Sequence, residues 1–89
     1  MRFPLGQVVA TAGALRVLKE KHVSPDLLLT RHQNGDWGKI PEEDRTENEL
    51  SLRHGFRLMS SYPIGADEKI WVITEADRSV TTILLPEDY

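Results

Sequence analysis

The final third of the chain alternates with a period of two. From Arg57 to Tyr89 it reads RLMSSYPI-GADE-KIWVIT-EADR-SVTTILLP-EDY. Three runs rich in β-branched and aromatic residues are joined by two short polar loops, the signature of an antiparallel meander. Loops at Gly65–Glu68 and Glu75–Arg78 would set Tyr62, Trp71 and Thr82 side by side. Ile64, Ile73, Val80 and Leu84 share that face. It is the face expected beneath the helices, with Trp71 central to the core. The opposite face carries Arg57, Met59, Ser61, Ile70, Val72, Thr74, Ser79, Thr81 and Ile83. It is half apolar, so it is either partly covered or an interaction surface. Near the other end, Gly6–Ala10 (GQVVA) is short and β-prone and predicts a first strand that joins this sheet.

Between these strands the punctuation is helical. Thr11 fits an N-cap for a helix over 12–21, with Ala14, Leu15 and Leu18 on one stripe. Ser24-Pro25-Asp26 places a cap, a proline in the first turn and an acid at the positive dipole end. That helix is expected to bury Leu27, Leu28 and Leu29 and to stop at Asn34-Gly35. Asp36-Trp37-Gly38 reads as a turn, with Trp37 plugging the core edge. Pro41-Glu42-Glu43-Asp44 opens a third helix that runs to His54 and stops at Gly55. Its apolar content is low, mainly Leu50 and Leu52, so it should be peripheral. The order is β-α-α-α-β-β-β. It predicts a single α+β domain over residues 1–89, with helices packed on one face of a small antiparallel sheet and a C-terminal three-stranded meander.

Composition narrows the function classes. Eighty-nine residues allow one core, and the absence of cysteine excludes a disulfide scaffold, a thiol nucleophile and thiolate metal sites. The N-terminus lacks the apolar core of a signal peptide, and no run approaches the ~20 apolar residues of a membrane span. The expectation is a cytoplasmic protein that contacts no membrane. The net charge of −3 is unevenly spread. Arg2, Arg16, Lys19, Lys21 and Arg31 outnumber acids in the first third; acids outnumber bases two to one beyond it. No basic patch is dense enough to signal non-specific nucleic-acid binding.

Two polar clusters are candidates for chemistry. In the tip Thr74-Glu75-Ala76-Asp77-Arg78-Ser79, Glu75 is a candidate general base and Arg78 a candidate stabiliser of a phosphate or carboxylate. Asp77 and Ser79 would equally serve as turn residues bonding local backbone. In Arg53-His54-Gly55-Phe56-Arg57, His54 is a candidate general acid, and its place at a helix C-terminus also suits the dipole. Arg57 and Arg78 fall near the same end of the predicted sheet. Candidate catalytic residues are therefore His54 and Glu75, and candidate binding residues Arg57, Asp77 and Arg78. His22, His32 and Asp36 match no metal-ligand spacing, and neither a glycine-rich phosphate loop nor a nucleophile elbow is present. No metal or cofactor is expected.

Three segments carry a resemblance: FPLGQVVAT, RHQNGDWG and WVITEADRSVTTILLPEDY. Together they resemble a bacterial family of small uncharacterised proteins found on plasmids and other mobile or phage-derived regions, described as plasmid-related. Some members are labelled type I restriction subunits. This chain is too short for a methyl-donor-binding α/β domain and has no GxG-type loop, so that label does not fit it. The resemblance spans nearly the whole chain and implies an accessory protein of mobile-element origin, with no agreed catalytic residues. The helices-then-meander order is also similar to small ribonuclease and ribosome-dependent toxin folds. Two functions follow as expectations. One is binding of a protein or nucleic-acid partner by a monomer or weak homodimer. The other is a metal-independent ribonuclease or phosphodiesterase using Glu75, His54, Arg57 and Arg78.

Overall fold

The computed structural model describes residues 1–89. Three helices and a four-stranded sheet follow the expected order: β1 Gln7–Ala10, α1 Ala12–Glu20, α2 Pro25–Gln33, α3 Glu42–His54, β2 Leu58–Ile64, β3 Glu68–Thr74 and β4 Val80–Leu84, then a short 3-10 turn at Pro86–Asp88. The caps lie where the sequence places them. Thr11 Oγ1 accepts the Ala14 N–H at 3.2 Å and Ser24 Oγ accepts that of Asp26 at 3.3 Å. Gly55 closes α3 in the left-handed conformation, at φ 74°, which glycine adopts without steric cost.

The spatial order is β1-β4-β3-β2. β2, β3 and β4 form the antiparallel meander, whereas β1 pairs with β4 in parallel. The sheet is therefore mixed rather than wholly antiparallel. Registers differ from expectation. Ile64 pairs with Glu68, which leaves a turn one residue shorter than predicted, and Tyr62 faces Ile70 instead of Trp71. A one-residue slip exchanges faces between strands. In the second hairpin Trp71 pairs with Leu84 rather than Thr82. That shift is even, so faces there are kept.

The consequence is a correction to the core. The helix-covered face is Leu58, Ser60, Tyr62 and Ile64 on β2, Ile70, Val72 and Thr74 on β3, and Thr81 and Ile83 on β4, all buried. Trp71, Val80 and Thr82 lie on the outer face and are only partly buried; Ile73 and Leu84, on the same face, are buried. Ala14, Val17 and Leu18 of α1 and Leu28 of α2 complete the main core; Phe3, Trp37 and Leu58 form a second cluster. Leu15 and Leu27, expected inside, are exposed, as is Leu50 on the peripheral α3.

α3 is held by polar contacts instead of an apolar stripe. Its buried residues are Asn48 and Ser51. Asn48 mimics a neighbouring strand: its Nδ2 donates to the Met59 carbonyl at 2.8 Å, and its Oδ1 accepts the Met59 N–H at 3.2 Å. Two residues along, the Ser61 N–H donates to the Trp37 carbonyl and the Ser61 carbonyl accepts from the Lys39 N–H. A Cβ at Gly38 would strike the Ser61 carbonyl, so glycine permits this approach. Pro63 follows and has no N–H. The outer edge of β2 is thus blocked along its length.

Candidate functional site

The hairpin tip and the end of α3 meet, as the sequence suggests, but Arg78 turns inward. Its backbone is left-handed, at φ 62°, a conformation that costs a non-glycine residue on the order of 1 kcal/mol. The side chain offsets this. Arg78 Nη1 donates to the carbonyls of Phe56 (2.7 Å), Glu75 (3.1 Å) and Ala76 (3.1 Å), and Nη2 to that of Ser51 (2.9 Å). The guanidinium therefore ties the hairpin to the C-terminus of α3, where a cation also suits the helix dipole. It sits 5.8 Å from the centroid of the Phe3 ring. Binding an anion there would mean giving up these bonds.

The other candidates are distributed around this clasp. Asp77 Oδ1 accepts from the Ser79 hydroxyl at 2.6 Å and the Ser79 N–H at 3.0 Å. Those two bonds hold its carboxyl below the usual range, and they close a local turn. Glu75 and His54 are exposed. Arg57 lies on the outer face, where its Nη1 donates to Tyr89 Oη at 2.6 Å and its guanidinium stands 5.5 Å from the Tyr89 ring centroid. Tyr89 in turn packs edge-on against Trp71 at 5.9 Å.

Two grooves flank α3. One, of about 400 Å³, runs between α3 and the start of β2 and has Asp44, Glu47, Phe56, Arg57 and Met59 in its walls. The second carries His54 with Glu43, Glu47, Leu50 and Phe56. Glu75 and Arg78 line neither, so neither groove gathers more than one of the four groups a phosphodiesterase would need. No three His, Asp or Glu side chains are gathered into a metal-binding set.

The most organised polar group lies instead in the core, beneath α2. His32 is fully buried; its Nδ1 lies 2.6 Å from Ser60 Oγ and its Nε2 2.9 Å from Thr74 Oγ1. Thr74 Oγ1 is 2.7 Å from Thr81 Oγ1, which donates to the Leu5 carbonyl at 2.7 Å. A hydroxyl has one proton to give. Thr81 spends its proton on Leu5 and so accepts from Thr74. Thr74 then accepts from Nε2–H, and Ser60 donates to Nδ1. The chain of bonds selects the neutral Nε2–H imidazole. Burial, with the positive charge of Arg78 adding to it, lowers the His32 pKa to about 4. Phe3 and Trp37 pack edge-on against the ring at 5.1 and 5.7 Å.

The neighbouring segment is equally bound to itself. Arg31 Nε donates to Asp36 Oδ2 at 2.7 Å and its guanidinium lies 4.5 Å from the Tyr62 ring centroid. Tyr62 Oη donates to the Asp36 carbonyl at 2.6 Å, and burial pushes its pKa up to about 12. Trp37 Nε1 donates to Glu49 on α3, which also receives both Nη groups of Arg2. The sequence reading missed this network because it weighed His32 only against metal-ligand spacing and set it aside. The available signal was the spacing of Leu28 and His32, one helical turn apart on the inward side of α2. Ser60, Thr74 and Thr81 also occupy strand positions that alternate with outward residues. Comparison of the chain with protein-family models, curated proteins and solved structures finds no significant match.

Proposed function

We propose that this chain acts by binding a protein partner rather than by catalysis, as a small cytoplasmic accessory protein of mobile-element origin. One observation carries the reading: helices cover only one face of the sheet, and the other has a single aromatic roof, Tyr89 laid beside Trp71. Ile73 and Leu84 beside that roof are buried, whereas Val9, Val80 and Thr82 around it are at least partly exposed. Large apolar side chains left accessible on a sheet face mark contact surfaces. Arg57 adds an enriched interface residue at its border. The scarcity of basic groups on this face favours protein over nucleic acid. The resemblance to plasmid-related proteins supports the mobile-element setting. No helix is long and apolar enough to cross a membrane.

The test is affinity capture with wild type and with Thr82→Glu, followed by reconstitution from purified components. A partner that binds wild type and is released at least tenfold more readily from the variant supports the reading. Equal retention by both proteins overturns it.

The ribonuclease alternative rests on Glu75, His54, Arg57 and Arg78, whose main-chain segments adjoin at one end of the sheet through Arg78. Its test is cleavage of an RNA panel by purified protein. Cleavage abolished by Glu75→Gln and by His54→Ala would replace the binding reading; no cleavage by wild type removes the alternative.

A further inference from the structure

The two edges of the sheet are treated differently, and the contrast identifies a second contact surface. β2 is closed along its outer edge by Asn48, the Gly38 segment and Pro63. β1 has no such cover. The N–H groups of Gln7 and Thr11 donate to the carbonyls of Ser79, just before β4, and Ile83 on it. In a parallel ladder alternate residues face the same neighbour, so Gln7, Val9 and Thr11 point inward and Val8 and Ala10 present their N–H and C=O groups outward. The strand carries no charge, no proline and no bulge, the usual guards of an open edge. Its valines are exposed on both faces, Val8 at 42% and Val9 at 39%.

We propose that β1 is a homodimerisation edge: two copies pair β1 to β1 antiparallel about a two-fold axis through Val9, joining their sheets into one. The register is self-complementary. Val8 of one copy meets Ala10 of the other, and each such pair exchanges both N–H···O bonds. Val9 meets its own copy across the axis as a non-hydrogen-bonded pair, with the two side chains in contact on the outer face. A second copy fits this edge because the same short, uncharged segment supplies both halves. The inference stands on the free backbone edge of β1, although Val9 also borders the outer face proposed above as a contact surface.

The absence of native cysteine gives a clean test. Non-hydrogen-bonded antiparallel pairs have Cα atoms ~4.5 Å apart, within disulfide range. Val9→Cys should form a covalent dimer under mild oxidation; Val8→Cys, whose opposite residue is Ala10, should cross-link at least tenfold more slowly. Sedimentation of wild type should show a concentration-dependent dimer, and Val9→Lys, which sets two like charges on the axis, a folded monomer by circular dichroism. Wild type that sediments as a monomer up to millimolar concentration overturns the proposal. So does equal cross-linking of the two cysteine variants, or a dimer that survives Val9→Lys.

Discussion

At the scale of single residues, the side chains that read as chemistry are mostly structural partners. Arg78 is the sharpest case. Its donors satisfy carbonyls at the end of α3 and in its own hairpin. Arg78→Ala should therefore cost about 2–3 kcal/mol in urea unfolding, since bonds to a charged donor contribute roughly 1.5–3 kcal/mol. Arg78→Lys should recover only part, because an ammonium cannot fork across several carbonyls. An unchanged midpoint in the alanine variant would free the guanidinium for a ligand. His32 makes a pH prediction. Its folded pKa of about 4 lies below its ordinary value of 6.5, so the unfolded chain takes up the proton first as pH falls. The native advantage is whole above about pH 6.5 and drains away down to about pH 4, amounting to roughly 3 kcal/mol. His32→Gln should flatten that part of the stability profile. The lowered carboxyls of Asp36, Glu49, Asp77 and Asp88 act mainly below this window. A wild-type stability constant from pH 7 to 4.5 would contradict the neutral buried imidazole.

At the scale of elements, α3 shows how a helix with almost no apolar face is attached. Asn48 occupies the place of a strand residue against β2, and Trp37 and Arg2 hold Glu49 one position along. Asn48→Ala leaves both polar groups of Met59 facing the helix without partners. The expected cost is about 1–3 kcal/mol. Faster amide exchange at Met59, and none at Val72 in the central strand, would show that the loss is local to the edge. The two tryptophans separate core from outer face. Trp37 is 1% exposed, and Trp37→Ala should cost about 3–5 kcal/mol, as for a fully buried aromatic. Trp71 is only partly buried on the outer face, so Trp71→Ala should cost less than half as much. Equal losses in thermal unfolding would return Trp71 to the core.

For the whole molecule, the sheet has one face filled by helices and one left to the C-terminal residue. Tyr89 bridges Trp71 and Arg57 across that outer face. Removing Tyr89 should expose Trp71 and shift its fluorescence to longer wavelength, while the core around Tyr62 and Ile70 stays packed. The destabilisation should stay near or below 1 kcal/mol, the scale of an exposed hydrogen bond with modest aromatic packing. An unchanged spectrum would mean that Tyr89 does not cover Trp71 in solution.

The order of elements, the caps at Thr11 and Ser24 and the stop at Gly55 were legible along the chain because each depends on a few adjacent residues. So were the meander and the burial of Trp37. What the alternation could not decide was the inner face, because Ile70, Val72 and Ile83 compete with Trp71, Ile73 and Leu84 on equal hydrophobic terms. One residue of turn length at Gly65–Asp67 settled it, through a register that only the packed sheet defines. The same holds for the polar groups. Sequence placed Glu75, His54, Arg57 and Arg78 toward one end of the fold. Only the tertiary structure turned Arg78 into a clasp on α3 and enclosed His32 among hydroxyls from three strands, because those bonds join residues far apart in the chain.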